Sequence, residues 1–148
     1  MLPRNVVCTL LFCVVLSAQT VNPMFRGTGN ATYRDKSGRI TGTARQNGNR
    51  TVYYDQSGRN IGSATQQGNT TVYRDQAGRI TGTATTSGNR TVYRDKSGRV
   101  QGSSQQYNTS TTYRDQAGRL TGTSRDNGSG RQQFYGQNGL NMGSRTTK

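Results

Sequence analysis

The chain reads as an all-β protein of tandem repeats, on three observations. Tyr33, Tyr53, Tyr73, Tyr93 and Tyr113 each open the pattern Y-[RY]-D-x-[SA]-G-R-x-x-G, one copy every twenty residues. Each copy holds two short stretches suited to strands, with Gly- and Asn-bearing turns at fixed offsets between them. Beyond residue 18 no segment has apolar residues at the 3.6-residue spacing of a helix. A fixed period of this length means identical supersecondary units, each leaning on its neighbours.

The first eighteen residues differ from the rest. Arg4 precedes an apolar run from Val6 to Leu16, followed by Ser17, Ala18 and Gln19. The run is too short for a bilayer span, which needs about 20 residues, and fits a signal peptide cleaved after Ala18. An uncleaved anchor is the alternative. Lipidation at Cys13 is disfavoured by the bulky Phe12 before it. Both cysteines, Cys8 and Cys13, fall in this segment, so the mature chain would have no disulfide and no thiolate metal site. The expected organisation is a signal peptide (1–18), a lead-in (19–28), five β repeats (29–126), and a worn sixth copy with a basic tail (127–148).

Apolar residues make up 28% of the chain, and many of them lie in the leader. What remains is near the level at which chains fail to offset their conformational entropy. Disorder is the competing reading, and the regular β-branched and aromatic residues stand against it.

Within the unit at 49–68, Thr51-Val52-Tyr53-Tyr54 is a strand by propensity. Asp55-Gln56-Ser57-Gly58 is a turn: Asp accepts backbone hydrogen bonds and Gly takes the left-handed conformation, which predicts a hairpin with a bulge. Residues 59–64 form a second strand, and Gln66-Gln67-Gly68-Asn69 a second turn. The same reading assigns Gly38, Gly58, Gly78, Gly98 and Gly118 to the turns.

Two architectures use this unit. In a β-solenoid each unit is one coil, and the tyrosines stack in a parallel ladder about 4.8 Å apart. Gly42, Gly62, Gly82, Gly102 and Gly122 would then leave room for their rings. In an antiparallel meander, Tyr53 faces Ile61 or a near neighbour. A spiral of hairpins is a third form. The ladder explains the strict spacing and the meander explains the turns.

The strings Tyr53-Tyr54-Asp55-Gln56-Ser57-Gly58-Arg59 and Tyr73-Arg74-Asp75-Gln76-Ala77-Gly78-Arg79-Ile80-Thr81 resemble YD (Rhs-type) repeats, as does Gly118-Arg119-Leu120-Thr121. The resemblance covers residues 29–143. It implies an exported or cell-surface β-repeat protein whose hairpins spiral into a sheet, in a family associated with toxin delivery and cell contact. Four of the five copies place Arg between the Tyr and the Asp, and so few units cannot form the large shell of long arrays. In design alone the chain is similar to curli-type subunits, which implies a self-assembling fibre.

Formal net charge is +14. Repetition arranges it in two rows: Arg39, Arg59, Arg79, Arg99 and Arg119 after the turn glycine, and Arg34, Arg74, Arg94 and Arg114 before the aspartate. Each Asp is expected to pair with the Arg four residues on, leaving the other row uncompensated. Guanidinium rows suit phosphate, sulfate or carboxylate arrays, and interleaved Tyr and Arg could stack on bases or sugar rings. The expected partner is therefore a polyanion: extracellular DNA, lipopolysaccharide or an acidic glycan.

Catalysis is disfavoured. The chain has no His, and its acids after the leader are five repeated Asp residues and Asp126. An Asp beside Arg in a turn stays ionised and cannot act as a general acid. No cofactor, metal or small-molecule substrate is implied. Asn30, Asn49, Asn69, Asn89, Asn108 and Asn127 match N-x-[ST], although Gly-Asn is also turn chemistry. The expected function is an exported, non-catalytic scaffold or adhesin that contacts polyanions, with no membrane span once the leader is removed. The alternative is an amyloid-like fibre subunit that self-associates.

Overall fold

A computed structural model describes residues 30–147. The leader, both cysteines and Met24-Phe25 lie outside them. Among the described residues there is no helix, and twelve antiparallel strands close into a barrel. The strands form six hairpins. These are β1 (Ala31–Arg34) with β2 (Ile40–Asn47), β3 (Arg50–Asp55) with β4 (Asn60–Gln67), and β5 (Thr70–Arg74) with β6 (Ile80–Ser87). Then come β7 (Arg90–Asp95) with β8 (Val100–Tyr107), β9 (Ser110–Asp115) with β10 (Leu120–Asp126), and β11 (Arg131–Gly136) with β12 (Asn141–Thr147). Each strand pairs with the next, and β12 pairs back with β1 through Ala31–Thr147 and Tyr33–Arg145.

The solenoid is therefore corrected to a closed meander, as is the spiral of hairpins. The turn chemistry decided it. Asp35 N donates to Arg39 O at 2.9 Å, Gly38 N donates to Asp35 O at 3.0 Å, and Gly38 has φ +83°. Such a turn reverses the chain within one sheet and leaves no path to the next coil. The same bonds recur at Asp55, Asp75, Asp95 and Asp115. At the other end a two-residue turn such as Gly48-Asn49 joins successive hairpins, with Gly48 at φ +58°. Asn108 takes the equivalent glycine's place at φ +47°, a conformation Asn tolerates.

Every hairpin carries a bulge beside its inward aromatic residue, a tyrosine in five and Phe134 in the sixth. Tyr33 faces Gly42 while Arg34 faces Ile40, so Thr41 lacks an opposite partner, and the shift repeats in the other five hairpins. Bulges strengthen local twist and help a sheet curl shut. The expected room for rings is realised across strands: Tyr53 faces Gly62, Tyr73 faces Gly82, and Phe134 faces Gly143. The tyrosines do not stack in a parallel ladder. They form a ring inside the barrel, with Tyr33, Tyr53, Tyr93, Tyr113 and Phe134 all buried.

The worn copy at 127–148 supplies the closing hairpin. Its extra residue is absorbed by a longer turn, in which Asn127 N donates to Arg131 O and Gly130 has φ +76°. This repeats the Asp-turn pattern at the opposite end of the barrel.

Two predictions follow from the packing. A Cβ on Gly82 would stand 2.5 Å from the Arg94 carbonyl oxygen, a backbone atom that cannot turn aside. Gly82→Ala should cost about 2–4 kcal/mol. Gly78→Ala meets nothing within 4 Å and bears only the left-handed penalty of about 1–2 kcal/mol. Urea denaturation of the two variants checks the order, and equal losses would refute the close-approach argument. Deleting residues 127–148 should leave β1 and β10 as open edges and make the protein aggregate more than the full chain, as measured by light scattering.

A basic rim and a polar lumen

Alternation along the strands places two sets of side chains. Outward rows carry Thr32, Arg34, Thr43, Arg45, Val52 and their repeats, while Tyr33, Ala44 and Thr51 are buried on the inward face. The strands run four to eight residues. A lipid-facing barrel needs strands of about 9–11 residues and an apolar outer band, and these outward rows do not provide one. No helix among the described residues is long and apolar enough to cross a membrane.

The five Asp turns gather at one end and bring the two arginine rows together there. Asp35 Oδ1 accepts from Ser37 N at 2.8 Å and Arg39 N at 3.0 Å, and Oδ2 accepts from Arg39 Nε at 3.2 Å. Arg59, Arg79 and Arg119 pair likewise with Asp55, Asp75 and Asp115. At the fourth turn Gln101 Nε2, at 3.1 Å, takes the Oδ2 position on Asp95, while Arg99 donates its backbone amide to Oδ1. The paired arginine side chains stay about 80% exposed, so these pairs contribute little stability.

The second row was expected to be uncompensated, but it bonds to its own turns. Arg34 Nη1 donates to Gly38 O at 2.9 Å, and Arg74, Arg94 and Arg114 donate to Gly78, Gly98 and Gly118. These acceptors are neutral carbonyls, so the positive charge remains. At the second turn Tyr54 replaces the arginine, and Arg45 lies 5.4 Å from its ring centre. The sixth turn, Gly136 to Leu140, keeps the backbone bonds but has no charged residue.

The tyrosine row is separated from both arginine rows. Its rings are inside the barrel, so the idea that Tyr and Arg jointly stack on bases or sugars from outside is corrected: one-residue steps along a strand point to opposite faces. The turn glycines Gly38, Gly58, Gly78, Gly98 and Gly118 are structural, with φ between +77° and +83°.

The lumen was not anticipated from the sequence. It holds a cavity of about 360 Å³ reached from the Gly-Asn turn end, where Asn49, Gln66, Thr86, Gln106, Thr109 and Asp126 stand at the mouth. Deeper lie Thr71, Thr91 and Gln132, and then Tyr53, Tyr73, Tyr113 and Arg145. Tyr93 and Tyr113 share hydrogen bonds with Ser104 and Ser124 at 3.1 and 3.0 Å, and Gln132 Nε2 donates to Ser124 Oγ at 3.0 Å. The Thr71 hydroxyl donates to Gln66 Oε1 at 2.6 Å.

Arg145 is the irregular member. Counting from the bulge glycine, its place is held by Ala44, Ala64, Ala84, Ser104 and Ser124 in the other hairpins. It is 8% exposed and sits in register between Tyr33 and Gln132. Burial pushes the Tyr33 hydroxyl up to about 12 despite the opposing pull of Arg145. Burial also raises Tyr53.

The N-x-[ST] asparagines line the mouth end. Asn49 and Asn89 donate side-chain amides to Gln66 O and Gln106 O, and Asn30 Oδ1 accepts from Gln46 N. Each of these side chains ties the start of a hairpin's first strand to the end of its second, closing that hairpin's open end beside the connecting turn.

No protein-family model, no curated protein and no solved structure matches this chain.

The turn aspartates set an acid limit. The Arg59, Arg79 and Arg119 amides hold Asp55, Asp75 and Asp115 below the usual carboxylate value, over a smaller opposing push from desolvation. At Asp35 and Asp95 desolvation is the largest single influence and pushes up, but the amide bonds, a side-chain hydrogen bond and the nearby guanidinium together outweigh it. A depressed carboxylate stabilises the fold above its unfolded value of about 3.9, and that share is lost as pH falls through the folded value. The urea midpoint should therefore drop below about pH 4. Replacing all five with Asn, which can still accept the turn amides, should flatten the drop. The raised phenols set an alkaline limit: the share of Tyr33 is complete below about pH 10 and lost on the way to about 12, and Tyr53 shifts in the same direction. In a chain with Tyr54, Tyr107 and Tyr135 replaced by Phe, tyrosinate absorbance should rise together with unfolding, and a rise at about pH 10 from an intact barrel would contradict the burial.

Proposed function

We propose that the chain is an exported, non-catalytic binding protein of the cell surface or its surroundings, which engages polyanions through the Asp-turn rim. The observation that carries this reading is the convergence of both arginine rows at one end. Residues 34–39, 54–59, 74–79, 94–99 and 114–119 hold eleven Lys and Arg against five Asp. Each Asp is committed to its own turn, so the surplus faces outward. The turns recur every second strand, at roughly 9–10 Å around the rim, which presents a flexible anionic chain with one guanidinium cluster after another. The YD-like turn and the leader support the exported setting. The fibre alternative needs a free strand edge to template growth, and nothing in the closed sheet favours it.

Retention on immobilised heparin and on DNA, measured across salt concentrations, tests the proposal. Binding should weaken steeply with salt, with a slope that falls by roughly 0.9 for each phosphate contact removed on B-DNA. The triple variant Arg39→Gln, Arg79→Gln, Arg119→Gln should lower both affinity and slope. A matching variant at the other end, Arg50→Gln, Arg90→Gln, Arg131→Gln, should keep most of the binding. Retention indifferent to salt, or equal losses from the two variants, would reject the rim.

A further inference from the structure

We propose that the lumen is a binding site for an acidic monosaccharide, whose carboxylate is received by Arg145 and whose hydroxyls are received by the Thr and Gln belt above it. This goes beyond the rim and uses the opposite end of the barrel.

Three features define the ligand. The first is charge. Arg145 is a guanidinium buried in the wall of the cavity. The five equivalent positions are Ala or Ser, and the repeat needs no long cation there to close the sheet. Beside it stands Tyr33, in register, with Tyr53 close enough to be coupled to it electrostatically, and Tyr73 lines the same cavity. The phenols of Tyr53 and Tyr73 line the cavity and can donate to an incoming anion, while Tyr33 flanks Arg145 from the neighbouring strand outside the cavity lining. A planar fork with neighbouring O–H donors is matched to a carboxylate.

The second feature is the belt. Thr71, Thr91 and Gln132 line the cavity between Arg145 and the mouth, and Gln66, Thr86 and Gln106 continue the belt at the mouth itself. Hydroxyls and amides both donate and accept, which suits a body rich in hydroxyls rather than an apolar one. Thr86 and Thr91 hydroxyls already lie 2.9 Å apart, and Thr71 bonds Gln66. Ring hydroxyls of a sugar can substitute into such a network. The third is size. A cavity of about 360 Å³ lies at the small end of ligand sites, which run about 300–1,000 Å³, and admits one sugar ring rather than a chain.

Asp126 fixes the orientation. It lines the mouth and accepts from Gly128 N at 2.9 Å through Oδ1. A ligand carboxylate placed there would meet a like charge, so the acid group goes inward.

Titration of the full chain with glucuronate, glucose and acetate, followed by amide NMR and calorimetry at physiological salt, tests the site. Glucuronate should bind about tenfold more tightly than either glucose or acetate. It should shift the amides of Thr71, Thr91 and Gln132, leaving those of the Asp turns unmoved. Arg145→Gln should lower glucuronate affinity at least about tenfold, whereas the rim triple variant should leave it unchanged, so failure of the lumen and failure of the rim are told apart. Should Arg145→Gln not fold, the shift map of the unaltered chain decides. Equal binding of glucose, shifts confined to the Asp turns, full affinity in Arg145→Gln, or no binding at about 10 mM would each overturn the proposal.

Discussion

Hydrogen bonds between Ala31–Arg34 and Ser144–Thr147 turn a strip of hairpins into a ring, and the remaining structure depends on that closure. A two-stranded hairpin is marginal in water, and an open sheet of this composition would expose two edges and one poorly covered face. Closure removes both edges and gives the inward row a common interior. The buried apolar side chains are few: three alanines on β2, β4 and β6, Ala31 on β1, four tyrosines and Phe134. The interior also holds buried Thr and Ser, with Ser124 fully enclosed. The barrel is therefore held mainly by a continuous backbone ladder around a ring of aromatics, and only secondarily by apolar burial.

Repetition explains the two ends. Every hairpin has the same hand and register, so all Asp turns fall at one end and all Gly-Asn turns at the other. The charge that looks dispersed along the sequence becomes a rim, interrupted only at the sixth turn. The five turn aspartates offset only part of the eleven Lys and Arg charges, so the rim stays strongly basic. At the opposite end Asn30, Asn49 and Asn89 close the open ends of their own hairpins, and the mouth is lined mostly with neutral amides and hydroxyls.

Much of this was legible locally. Asp55 to Gly58 announced a turn with a left-handed glycine, and Thr51 to Tyr54 announced a strand, because both depend on residues within reach of each other. Even the space opposite each tyrosine could be read from Gly62 and its repeats. Closure could not be read, since it depends on the fit between β1 and β12, more than a hundred residues apart. The strict period also suited a parallel ladder equally well until the turn bonds excluded one. Arg34 and its row looked free because a sequence gives no sight of backbone carbonyls such as Gly38 O. Arg145 was legible in principle: set against Ala44 and its equivalents, it is a cation where five small residues stand. It passed as one more arginine of a basic tail because the sixth copy is out of phase.

That last position shows where specificity can arise in a repeat barrel. Six identical hairpins would line the lumen with six equivalent side chains at each level, and such a surface has no preferred orientation for an asymmetric ligand. A distinguishing group must come from a copy that departs from the pattern. The closing hairpin has the most freedom to do so, because its turns have already dropped the Asp and changed length. It carries both the inward guanidinium and, through Gln132, an amide where other copies have Ala or Thr. The same divergence that makes residues 127–147 look worn beside the other five gives the interior its one marked direction.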